Sequence, residues 1–159
     1  MKKSIKIGLN FGLTSGVITT LGLMVGLNSS TQLKLAVIAG ILTIAVADSF
    51  SDALGIHISK ESENNSTTKD IWVATLSTFF FKFIFALTFL IPILIFSLKL
   101  AILISIFWGG LLITLASYYI AKETKQKTWH VIFEHLLISG IVLILAHYLG
   151  TLINKFFVN

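Results

Sequence analysis

The chain has 159 residues, of which 55% are hydrophobic and only 12% charged, and its net charge of +5 comes from lysine alone. Without cysteine it has no disulfide framework, no thiolate metal site and no cysteine nucleophile. Its lysines are dispersed rather than gathered into the basic patch that nucleic-acid binding requires, so no nucleic-acid partner is expected.

Mean hydropathy is +0.92, and stretches of the roughly 20 apolar residues needed to cross a bilayer recur along the whole chain. Residues 1–159 therefore read as one transmembrane domain. It is all-α and polytopic, with five spans at about 5–27, 35–58, 71–96, 98–121 and 131–153. The first run is too long for a cleaved signal, and no small-residue cleavage site closes it before the next span.

The first span repeats glycine every fourth residue, at Gly8, Gly12 and Gly16 and again at Gly22 and Gly26. Small residues at that spacing let two helix backbones approach closely. Asn10, Thr14, Ser15, Thr19 and Thr20 add polar groups. Two readings stand: a tightly packed internal helix, or a polar helix lining a path at a dimer axis.

The second span carries Asp48 and Asp52. A carboxylate at bilayer depth costs roughly 2.5–3.5 kcal/mol on insertion scales, so two in one span point to ion or proton handling, or to neutralisation by a partner. At i and i+4 they face the same way along a helix. Lys82, in the third span, is the candidate charge partner. It lies about 16 Å along the helix from residue 71, and Asp48 about 15 Å from residue 58, taking the helical rise per residue. An Asp48–Lys82 pair is thus within reach, and it would leave Asp52 needing a partner, a proton or an ion.

Pro92, the only proline, falls late in the third span, where neighbouring helices can satisfy the carbonyl it frees. Trp72, Trp129, Tyr118 and Tyr119 mark span ends, as interfacial aromatics do. Of the connections, 59–70 is polar and flexible and 122–130 is polar and basic. Lys2, Lys3, Lys6, Lys60, Lys69, Lys122, Lys125 and Lys127 fall on one side and Lys34, Lys99 and Lys155 on the other. The excess places the N-terminus in the cytoplasm and the C-terminus outside.

The segments SGVITTLGLMVGL (15–27) and IAGILTIAVADSFSDALGIHISKESE (38–63), with Pro92 and HLLISGIVLILAHYLGTLI (135–153), resemble the vacuolar iron transporter family. The chain looks like a divergent member without the cytosolic metal-binding region, since 59–70 is too short to form it. The resemblance implies a five-helix protomer that forms a homodimer, with a metal path along the first helices at the two-fold axis. It implies export of Fe²⁺ or Mn²⁺ from the cytosol in exchange for protons. Position by position, Ser15 stands where the family has its first-span aspartate, and Asp52 where it has methionine. Gly55 matches a family glycine. Ile56 replaces the family glutamate and His57 its aromatic residue.

Oxygen ligands such as Asp48, Asp52 and the Ser15 hydroxyl suit hard or borderline divalent ions. Carboxylates in a low-dielectric site can also carry the exchanged proton. His57, Glu61 and Glu63 are candidates for the cytoplasmic entrance. The expected partners are the lipid bilayer, a second copy of the chain, the metal ion and the proton, with no resident cofactor. A changed substrate on the same fold, or a non-transporting membrane subunit, are the alternatives. An enzyme is not expected: Asp48 and Asp52 share one helix, whereas an intramembrane aspartyl pair must face each other from different helices. No HExxH or other familiar ligand spacing appears among the histidines.

Overall fold

A computed structural model describes the backbone of residues 2–157 and the side chains of residues 3–157. The Lys2 side chain, counted above for orientation, and residues 1, 158 and 159 lie outside it. The described residues are all-helical, without strands: α1 (Lys2–Thr31), α2 (Lys34–Glu61), α3 (Thr68–Thr88), α4 (Leu90–Ile95), α5 (Leu98–Thr124) and α6 (Thr128–Phe157). With α3 and α4 taken as one rod, five helices are long and apolar enough to cross a membrane. Each outruns the apolar stretch that marks it in the sequence, because the helical backbone continues into polar flanks.

The third rod is not the single helix expected over 71–96. It breaks at Phe89, whose N–H bonds back to Ala86 in a tightened turn. Pro92 is the cause: it lacks the N–H that would bond to Thr88, and its ring crowds that carbonyl. The Thr88 hydroxyl accepts the indole N–H of Trp108 at 3.1 Å, tying the break to α5.

Local signals set the ends. Thr67 caps α3 by accepting the Asp70 N–H at 3.2 Å, which satisfies one free donor of the helix start, and its hydroxyl donates to the Asp70 carboxylate at 2.7 Å. α1 and α5 end on left-handed residues without glycine: Gln32 at φ 54° and Lys125 at φ 56°. Their N–H groups bond back to Asn28 and Ala121 respectively.

α1 is the central helix, packed against α2, α3, α5 and α6. Its glycines decide how. A Cβ on Gly12 would lie 2.8 Å from the Thr78 carbonyl and 2.9 Å from the Lys82 nitrogen, so the Gly8–Gly12–Gly16 row is where α3 crosses in near-backbone contact. Gly22 and Gly26 face Val142 and Ala146 of α6 instead. The apolar core, including Val17, Leu21, Met24, Ile41, Phe89, Ile93 and Ile113, lies between α1, α2, α4 and α5. Large apolar side chains such as Phe50, Phe107 and Leu145 point outward. That surface is compatible with a multi-pass integral membrane protein, since lipid tails solvate it as well as a core would.

Candidate functional site

Three helices bring four polar side chains together at their midpoints. Ser15 is the 14th of the 30 residues of α1, and Asp48 the 15th of the 28 of α2. Lys82 is the 15th of the 28 residues of the broken third rod. The site therefore sits at half-depth.

Lys82 is the largest fully buried side chain, 1% exposed. Its ammonium reaches both carboxylates: Asp48 Oδ2 at 2.5 Å as an ion pair, and Asp52 Oδ2 in a short hydrogen-bonded pair. The Asp48 contact lacks hydrogen-bond geometry, so directional bonding goes to Asp52 and charge is shared with both. Ser15 closes the cluster, donating to Asp52 Oδ2 at 2.6 Å and accepting from Lys82 Nζ at 3.0 Å. Asp52 thus has two donors, whereas the expectation of a lone Asp48–Lys82 pair left it with none.

The glycine row makes the burial of Lys82 feasible. A Cβ on Gly16 would lie 3.2 Å from the lysine Cγ and 3.1 Å from its carbonyl oxygen. A larger residue there would press on the stem as it passes between α1 and α3. One ammonium here faces two carboxylates. Asp48 is the one that borders an opening. It lines, with Thr19, Ala47 and Ser51, a groove of about 710 Å³ between α1 and α2 on the outer face of the bundle. The hydroxyls of Thr20, Ser49 and Ser105 are also buried and have no partner, so α1, α2 and α5 each hold further unspent hydrogen-bonding capacity.

The entrance candidates are not part of this cluster. His57 turns to the α2–α3 seam, where Nδ1 meets the Thr75 hydroxyl at 3.0 Å and the ring packs edge-on to Trp72 at 4.9 Å. Glu63 is exposed and paired with Lys60 at 2.8 Å, a hydrogen bond that holds its carboxyl below the usual range. Glu61 is exposed at the end of α2. Among the described residues no three His, Asp or Glu side chains gather as a metal-holding group. The GxxxGxxxG spacing announced a close crossing in the sequence, but only the fold identifies α3 as the partner. The histidines at 135 and 147 bond across helices, to Ser117 and Ser29, each at 2.8 Å.

Comparison with family models, with curated proteins and with solved structures returns no match for this chain.

Proposed function

We propose that the chain is an integral membrane transporter in which cargo cation and proton compete for Asp48 and Asp52, and that the cargo is a divalent metal, Fe²⁺ or Mn²⁺, leaving the cytosol. The observation that carries this reading is the Lys82 ammonium held between two carboxylates at half-depth. Ionisable groups at bilayer depth mark ion and proton pathways by default. An ammonium on two carboxylates occupies the place a cation would take. A metal that captures Asp48 and Asp52 displaces it, and a proton arriving at either carboxylate weakens the hold on the metal. Exchange of metal for proton then follows from competition for one pair of oxygens, with Ser15 as a third oxygen.

The resemblance to vacuolar iron transporters supports the same direction of transport, with the N-terminus cytoplasmic. It also supports a homodimer. In that assembly the α1–α2 groove is covered by a second copy, and two Asp48 side chains approach one axis, supplying the ligands one protomer lacks.

One observation favours a second reading, the same fold with a changed substrate: a lysine stands between the two carboxylates, and its positive charge opposes a dication more than a monovalent cation. The tie of Lys82 to both aspartates argues against an anion path. The test is flux of Mn²⁺, Fe²⁺ and Na⁺ into proteoliposomes under a proton gradient, wild type beside Asp52→Asn. Mn²⁺ or Fe²⁺ flux abolished by the substitution is the expected result. Flux of Na⁺ alone would replace the cargo. A folded protein that moves none of the three would sink the transport reading.

A further inference from the structure

At the end of the bundle away from Lys6 and Glu123, α1, α5 and α6 border two cavities that share lining residues. The mouth has a volume of about 540 Å³, and eight of its nine lining residues are polar, among them Asn28, Gln32, Ser97, Lys99, His147 and Thr151. Beneath it a cleft of about 490 Å³ shares Asn28, Ser29 and His147 with the mouth and is otherwise built from residues such as Val25, Ile102, Ile106, Leu143 and Ile144. A mouth rich in polar residues thus adjoins an apolar shaft, the two sharing three lining residues.

Charge at this end has one sign. Lys34, Lys99 and Lys155 lie here. The seven acidic side chains are Asp48 and Asp52 at half-depth and Glu61, Glu63, Asp70, Glu123 and Glu134 at or toward the opposite end. The first turn of the 27-residue α5 lines the mouth, and its cap residue Ser97 makes no side-chain bond to it, so its amide groups add positive potential. Ser29 engages His147 Nδ1 and leaves Nε2 as the ring atom for a ligand. At the far side the helices are pinned. Gly150 packs onto the Gly26 carbonyl, and Asn154 donates to the Ser30 carbonyl at 2.6 Å, which fixes α6 against α1 beside the cavity.

We propose that this cleft binds one anionic phospholipid, with its phosphate at Lys99 and His147 and one acyl chain between α5 and α6. A free phosphate would use only the mouth and gain nothing from the apolar shaft. A zwitterionic lipid would fill the shaft but bring no net charge to Lys99. The site rests on the membrane reading and not on the transport reading, so it stands or falls independently of metal flux.

The experiment is lipid titration of the full-length protein in detergent, followed by native mass spectrometry. The probes are phosphatidylglycerol and phosphatidylcholine of equal chain length, and inorganic phosphate. One phosphatidylglycerol per protomer is expected, bound about tenfold more tightly than phosphatidylcholine. Lys99→Ala should lower that preference about fivefold, the share of one lysine beside an anionic headgroup. Leu143→Trp should fill the shaft and abolish retention of both lipids. Lys155→Ala, which alters charge at the same end outside the mouth, should leave the preference intact. Equal binding of the two lipids, equal losses from Lys99→Ala and Lys155→Ala, or inorganic phosphate displacing phosphatidylglycerol at matched concentration would each overturn the proposal.

Discussion

The α1–α3 seam and the α1–α5–α6 seam are both lined by α1, yet they are built differently. The first is closed: glycines at 8, 12 and 16 bring backbones together, and the fully buried Lys82 lies in the contact. The second is looser, with cavities at both ends: Gly26 and Gly150 bring α1 and α6 together near one end, the Lys6–Glu123 ion pair ties α1 to α5 at the other, and the histidines bond to serines in between. Of the 30 residues of α6 only Val131, Ser139 and Gly150 are buried. A charged centre demands exclusion of alternatives, because an unpaired ion in low dielectric is costly. A seam held by apolar contact and single polar links tolerates gaps.

That contrast can be broken most sharply at Lys82. Lys82→Met strands two carboxylates and should cost about 3–5 kcal/mol, the penalty for removing one partner of a buried ion pair. Adding Asp48→Asn and Asp52→Asn to it should recover most of the loss in a denaturant titration. An unchanged midpoint for Lys82→Met would mean that the centre is hydrated and the seam is not closed. Next comes Gly12→Ala. Its methyl meets the Thr78 carbonyl and the Lys82 nitrogen, neither of which can rotate away, and overpacking of this kind costs about 1–3 kcal/mol. Thermal unfolding of the purified protein measures it.

On the looser seam the effects should be smaller. Ser117→Ala removes the 2.8 Å bond to His135 and should cost about 1 kcal/mol, readable as faster hydrogen exchange across the α5–α6 contact. Gly110→Ala should have the opposite sign to Gly12→Ala. Nothing lies within 4 Å of the added methyl, and replacing glycine inside a helix gains up to about 1 kcal/mol. A melting temperature lowered by Gly110→Ala would show that this face is covered after all.

The sequence carried the rods well, because apolar length is a one-dimensional property and so is the glycine period. It carried less of the site. Asp48, Asp52 and Lys82 stand out in the chain because charge at such depth is rare. That one ammonium serves both acids depends on the rotation of α2 against α3, which periodicity alone does not fix. The bond from Ser15 to Asp52 needed the α1 crossing as well. His57 illustrates the converse: its place near the end of a span suggested an entrance, and the neighbour that engages it, Thr75, lies 18 residues away on another helix. The break at Phe89 was written in Pro92, but its anchoring by Trp108 was not.

The separation of the two carboxylates from their lysine along the chain also bears on how the protein is made. Asp48 and Asp52 leave the ribosome more than 30 residues ahead of the position that follows Lys82, so α2 is complete before its counter-ion exists. Entering lipid alone, that helix bears about 5–7 kcal/mol for its two acids on insertion scales. Entering together with α3 as a hairpin, closed by the short turn around Ser62–Thr67, it carries its neutralising charge with it. Paired insertion is thereby favoured, and in a nascent chain stopped before residue 82 a cysteine placed in α2 should remain open to an aqueous thiol label, whereas in one that extends past α4 it should not.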